Sequence, residues 1–189
     1  MIRAGRKLLL LALLAGALTS PMVRADFDID YAEPLVQNRE IRVNTRFRLV
    51  LNPRTEEALT KGIPIDVAFD IRLVQHRWWW ANHVVTDQTL HRSIWFHALS
   101  RRYLVSGLTE RNSAESFATL PEALAHLGNF ETYTMILAPK KKIYPDTRYI
   151  LQLRARLEIE ALPTLMRPLA YATPSWRLNT GWKEWIVTP

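Results

Sequence analysis

The residues with the widest chemical repertoire in this sequence are three consecutive tryptophans, Trp78, Trp79 and Trp80. They are preceded by His76 and Arg77 and followed by Trp95, His97 and the pair Arg101-Arg102. Successive side chains on a strand point to opposite faces, so three adjacent indoles cannot all enter one core. An indole left outward beside His76, Arg77 and Trp95 would form a stacking platform for a sugar ring, a peptide or the headgroup zone of a membrane. The other reading puts one face in the core and the second beneath a C-terminal segment that brings Trp176, Trp182 and Trp185. Large aromatics are usually covered where chain is at hand to cover them, so the covered arrangement is the expectation. Trp78, Trp79, Trp80, Trp95, His97, Arg101 and Arg102 together are the candidate binding surface.

Other constellations point away from catalysis and metal chemistry. His91 and His97 share a strand face with Ser93 and Trp95, but six residues at about 3.3 Å each separate them by roughly 20 Å, too far for two ligands of one zinc. His76 and His83 could approach across a bend, yet no neighbouring carboxylate or third histidine completes a ligand set. Asp66 and Asp70 are four positions apart on one strand face, about 13 Å, whereas paired-carboxylate glycosidases need about 5 to 9.5 Å. Partners across strands stay open. Ser93, Ser100 and Ser106 lack the Gly-x-Ser-x-Gly elbow that presents a nucleophile. With six glycines in all, there is no phosphate-cradling loop. No cofactor is implied, and a non-enzyme is the expectation.

Arginines line two wet strand faces: Arg42, Arg46 and Arg48 on one, Arg154 and Arg156 on another. Were these strands neighbours, the patch would attract lipid phosphates, lipopolysaccharide or an acidic protein. Balanced instead by Asp66, Asp70, Glu158 and Glu160, they would be a solubilising face that also deters unwanted sheet pairing.

The elements that must carry these residues alternate with period two. Ile41, Val43, Phe47, Leu49 and Leu51 oppose Arg42, Asn44, Arg46 and Arg48. Ile65, Val67, Phe69, Ile71 and Leu73 oppose Asp66, Asp70 and Arg72. Tyr149, Leu151, Leu153, Ala155, Leu157 and Ile159 oppose Gln152, Arg154, Arg156, Glu158 and Glu160. Such alternation belongs to antiparallel sheet with one wet face, not to the wholly apolar strands of a parallel core. Phe27 to Ala32, Thr89 to Ala98, Arg102 to Ser106, Thr132 to Leu137 and Glu184 to Val187 are strand-like by aromatic and β-branched content. Lys140-Lys141-Lys142 and Tyr144-Pro145-Asp146 predict a charged hairpin tip between Thr132–Leu137 and the strand from Arg148.

Two short helices are punctuated at both ends. Asn52 caps one that has Pro53 first and Gly62 just past its end. Thr119 and Glu122 form a capping box before Ala123, Leu124 and Leu127, and Gly128 is expected to take the left-handed conformation. Neither can form a layer, so both should plug the ends of two packed sheets. The predicted fold is mainly β: an antiparallel two-sheet β-sandwich of immunoglobulin-like size with two short capping helices. Ala161 to Pro174, with three prolines, reads as an irregular crossing segment.

The N-terminus sets the expected compartment. Arg3, Arg6 and Lys7 precede an unbroken apolar run of 11 residues, Leu8 to Leu18, and Ser20-Pro21 and Val23-Arg24-Ala25 follow. This is the pattern of a cleaved signal peptide, residues 1–25, with cleavage before Asp26. A membrane span would need about 20 apolar residues, and without cysteine there is no lipobox for a lipid anchor. The whole chain carries 25 Lys and Arg against 18 Asp and Glu. Four of those cations and no acid lie in the leader, which leaves 21 against 18, a net +3, for residues 26–189. Most of the basic excess therefore belongs to the leader, and nucleic acid is discounted as a partner. The remaining 164 residues, 189 less 25, suffice for one core without disulfides, so a single β-sandwich domain, periplasmic, is expected.

Three stretches carry a resemblance: Ala68-Phe69-Asp70-Ile71-Arg72-Leu73, the run Trp78–Trp80, and Ile94-Trp95-Phe96-His97-Ala98-Leu99-Ser100-Arg101-Arg102-Tyr103-Leu104-Val105-Ser106-Gly107. Trp176 to Trp185 echoes a Trp-rich end. The chain resembles an uncharacterised family of short exported proteobacterial proteins, a domain of unknown function, over most of residues 26–189. The resemblance brings no catalytic residues. It implies one context, genes beside a membrane sensor kinase of the nitrogen-regulation type, and so a periplasmic partner of such a kinase. The function expected is a non-catalytic interaction module of the cell envelope that recognises an envelope protein or an anionic envelope component. The alternatives are a glycan- or lipid-binding sandwich, and a hydrolase whose acid and base meet only in three dimensions.

Overall fold

The computed structural model describes residues 26–37, 39–77, 82–106, 113–139, 141–145, 147–187 and 189. Among the described residues nine strands run in chain order: β1 (Phe27–Gln37), β2 (Glu40–Leu49), β3 (Ile65–Gln75), β4 (His83–His97), β5 (Arg102–Ser106), β6 (Ala114–Phe117), β7 (Asn129–Ile136), β8 (Tyr149–Leu157) and β9 (Lys183–Val187). They form two antiparallel sheets, one ordered β1-β2-β7 and the other β6-β5-β4-β3-β8-β9. The mainly β, two-sheet architecture is the one the period-two patterns predict.

The sheets meet through the apolar half of each alternation. In β8, alternate residues from Tyr149 to Leu157 are buried, as are Ile41, Val43, Phe47 and Leu49 of β2. Phe47 of β2, Phe69 of β3 and Phe130 of β7 form an edge-on triangle with centroids 4.9, 5.6 and 4.7 Å apart. Offset quadrupoles favour this geometry, and it joins one sheet to the other at the centre of the core.

Helix α1 (Pro53–Thr60) begins as its sequence requires, with Asn52 Oδ1 accepting from the amides of Arg54 and Thr55 at 3.1 Å. Gly62 follows with φ of 84°, a conformation that costs glycine nothing. In helix α2 (Leu120–Leu127), the Glu122 amide donates to Thr119 Oγ1. Buried Ala123, Leu124 and Leu127 join α2 to the common core, and it touches β2 of one sheet and β4, β5 and β6 of the other.

Four expectations change. Gly128 is right-handed, with φ of −89° and ψ of −2°. It is glycine for room: a Cβ there would lie 2.1 Å from the Phe47 carbonyl oxygen, whose own amide donates to Gly128 O at 2.8 Å. The predicted hairpin between Thr132–Leu137 and the strand from Arg148 does not form. β7 pairs with β2, while β8 pairs with β3 and β9, so the lysine- and proline-bearing link crosses between sheets. Ala114–Phe117 is a short strand, β6, that the sequence pattern did not mark. The segment from Ala161 to Pro174 also holds order of its own, a third helix α3 (Arg167–Ala172) with a 3-10 turn on either side. Among the described residues no helix is long and apolar enough to cross a membrane.

Candidate functional site

Polar side chains concentrate on the outward face of the six-stranded sheet, where β3, β4 and β8 present Asp66, Asp70 and Arg72, then Asp87, Thr89, His91, Ser93 and Trp95, then Gln152, Arg154 and Arg156. Most of this face is internally neutralised. Asp70, only 4% exposed, accepts from Thr89 Oγ1 at 2.7 Å, from Arg154 at 2.7 Å and from Arg156 at 3.3 Å. Burial alone would raise its carboxyl, but the Thr89 hydroxyl and the two guanidinium groups outweigh that and hold it below the usual carboxylate range. Arg72 grips Asp87 at 2.7 Å, and Gln152 donates to Glu184. The Trp182 ring lies over both Arg72 and Arg154, with guanidinium carbons 4.6 and 4.4 Å from its centroid. The C-terminal segment thus covers part of the wet face at Arg72 and Arg154. Trp176 is also buried.

Toward the end of the face where β3 begins and β4 ends, the pattern changes. Asp66, His91, Ser93, Trp95, Ser106 and Glu158 line a concavity of about 390 Å³. Asp66 lies opposite Ser93 in the β3–β4 register, and the Glu158 amide donates to Asp66 O at 2.8 Å, so β4, β3 and the end of β8 each bring one wall. His91 Nδ1 meets Glu158 Oε2 at 2.6 Å, and Arg156 approaches the other oxygen at 3.5 Å. Ser106 Oγ accepts from the Ser93 amide. The Asp66 carboxylate, the Ser93 hydroxyl and the Trp95 indole N–H have no partner among the described residues. No group of three metal-ligating side chains converges there or elsewhere among the described residues.

Trp95, His97, Arg101 and Arg102 of the candidate surface fall together at this end. His97 pairs with Arg102 at the mouth of the β4–β5 hairpin, and its Nδ1 meets Ser100 Oγ at 2.9 Å. Arg101 holds φ of 52° in the tight turn. Arg102 donates to Ser116, and among the described residues neither Arg101 nor Arg102 meets a carboxylate. Trp78, Trp79 and Trp80 lie outside the described residues. Their neighbours Arg77 and Asn82 adjoin the Gln75–His83 end of the β3–β4 pair, and the 15 residues of β4 place His97 about 45 Å along the strand from His83.

The two arginine rows do not merge, since β2 and β8 belong to different sheets. On β2, Arg42 pairs with Glu40 at 2.9 Å and Arg48 with Asp28 and Asp30 at 3.0 and 3.1 Å, while Arg46 stacks on Tyr31. In both rows arginines are engaged by carboxylates of their own sheet. A second cleft, of about 300 Å³, lies between β2 and α2. Leu49, Leu51, Leu120, Pro121 and Leu124 line it together with Asp30, Arg46, Arg48 and Glu56; of these polar residues, Arg48 is held by Asp28 and Asp30 and Arg46 lies over the Tyr31 ring.

One feature of the polar chemistry is purely internal. Arg92 is 2% exposed, and its guanidinium donates to the carbonyls of His126 and Leu127 at 2.8 and 2.7 Å and to Ser106 O at 3.3 Å. Burial pushes its pKa down to about 10. The cation answers the negative end of α2 and its orphan carbonyls. Nothing in the alternation marks it, because a charged residue on the core side of a strand is visible only once the helix end lies against it.

No curated protein and no solved structure matches the chain. A family model matches residues 24–186, which span every strand of both sheets apart from the final residue of β9. The resemblance drawn from the strand and tryptophan motifs therefore holds at the level of the family, and the chain belongs to the family described as Domain of unknown function (DUF4390).

Proposed function

We propose that this chain is an exported, non-catalytic recognition module of the cell envelope, and that its working surface is the outward face of the six-stranded sheet around Trp95. One contrast carries the reading. Most of that face is closed into ion pairs, whereas its β4–β5 end gathers an aromatic ring, a concavity with uncommitted polar groups and two arginines without carboxylate partners among the described residues. Free polar groups convergent on a hollow beside an aromatic are what a binding site needs and what a merely solvated face lacks. Export is supported by the leader pattern of residues 1–25. The partner is an envelope protein or an anionic envelope component drawn to Arg101 and Arg102, and the family resemblance makes a membrane sensor kinase the first protein to probe.

Capture from envelope extracts tests this directly. The native chain should retain a partner that the Trp95→Ala and the Arg101→Ala, Arg102→Ala chains lose by roughly tenfold or more. Equal recovery by all three would remove the surface from consideration.

One observation favours a hydrolase instead: Asp66 and Glu158 face each other where β3 begins and β8 ends, joined through the Glu158 amide and the Asp66 carbonyl, and both line one hollow, as the two carboxylates of a glycosidase must. Release of chromophore from aryl glycosides, lost in Glu158→Gln, would decide for it.

A further inference from the structure

We infer that the concavity beside Trp95 is a subsite for a neutral sugar ring, with the indole as the stacking surface and Asp66, Glu158 and Ser93 as hydroxyl partners. This deepens the recognition reading and rests on it. The lining selects the ligand by exclusion and by fit.

An anion would face two carboxylates, Asp66 and Glu158, and the nearest cation, Arg156, is already held by Asp70 and Glu158. A metal ion would need three converging ligands, which the described residues do not provide. A quaternary ammonium is usually held by a cage of several aromatic faces, and this hollow has one. An apolar ligand would strand the free Asp66 carboxylate and Ser93 hydroxyl away from water without partners, which disfavours it.

A hexose satisfies every group at once. Its C–H face covers an indole, its hydroxyls donate to carboxylates, and they accept from a serine hydroxyl or an imidazole N–H. The His91–Glu158 contact at 2.6 Å fixes one acceptor in place before the ligand arrives, so little ordering is left to offset binding. The volume of about 390 Å³ is within the range of roughly 300–1,000 Å³ typical of small-molecule sites.

The test is titration of the purified chain with chitotriose and with maltotriose, followed by amide and indole resonances, with trigalacturonate as the anionic control. Expected is a saturable shift of the Trp95 indole N–H and the Ser93 amide with at least one neutral trisaccharide, none with the uronate, and affinity in the region of 1 mM. Asp66→Asn, which keeps shape and removes charge, should weaken it roughly tenfold, and Trp95→Phe should weaken it less than Trp95→Ala. Silence at Trp95 with both neutral probes well above that concentration overturns the inference, as does an unchanged affinity in Asp66→Asn. Silence together with Trp95-dependent capture from extracts would discard the sugar and keep the recognition surface. A sugar shift without such capture would keep the subsite and discard the envelope partner.

Discussion

At the residue scale, Asp70 shows how a charge on a sheet face becomes part of the structure. It lies between Thr89 on β4 and Arg154 and Arg156 on β8, so three strands converge on one carboxylate. Its unfolded value is 3.8 and its folded value lies below that. The resulting stabilisation is complete above 3.8 and is lost as pH falls through the folded value. Asp70→Asn should therefore cost about 2 kcal/mol near neutrality, and the gap between the two chains in urea unfolding should close on acidification below 3.8. A gap that stays constant over that range would mean the carboxylate is not the source. The alternation exposes Asp70 as a wet-face residue, yet nothing in it reveals a residue almost wholly covered, because the covering arginines lie 84 and 86 positions later in the chain.

Elements show a similar division. The start of α1 was legible in Asn52-Pro53, since both residues act on their own helix through local hydrogen bonds and a fixed φ. The end of α2 was not, because two long-range partners govern it: the Phe47 carbonyl that leaves no space for a Cβ at Gly128, and Arg92 from β4, whose guanidinium takes the last carbonyls. Arg92→Met should destabilise the chain by about 3 kcal/mol, the loss of charged hydrogen bonds together with stranded carbonyls. Arg92→Lys should recover only part of it, since an ammonium is a point donor without a planar fork. Chemical unfolding measures the first effect, and hydrogen exchange in the last turn of α2 measures where it acts. Unaltered exchange at Leu124 to Gly128 in Arg92→Met would show that the helix end does not depend on this cation.

For the whole molecule, two sheets share one core through Phe47, Phe69 and Phe130, and the six-stranded sheet turns its other face outward, covered in part by Trp182. The outward end of that face collects Trp95, His97, Arg101 and Arg102, four of the candidate residues, because they are neighbours in sequence around one tight hairpin. Export belongs to this scale too. Expressed in a Gram-negative host, the chain should be recovered from the periplasmic fraction with Asp26 as its first residue, checked by N-terminal sequencing and intact mass. Recovery in the cytosol with Met1 in place would defeat the exported reading.

What the sequence alone determined is what local rules control: which residues alternate, where the two capped helices begin, and which class of fold follows. Strand partners were decided only by tertiary structure, since period-two patterns fix faces and not neighbours; hence β7 joins β2 and not β8. The same limit hid the concavity. Asp66, Trp95, Ser106 and Glu158 stand far apart in the chain, and only the register of β3 against β4 and β8 brings a free carboxylate, a hydroxyl and an indole to one hollow.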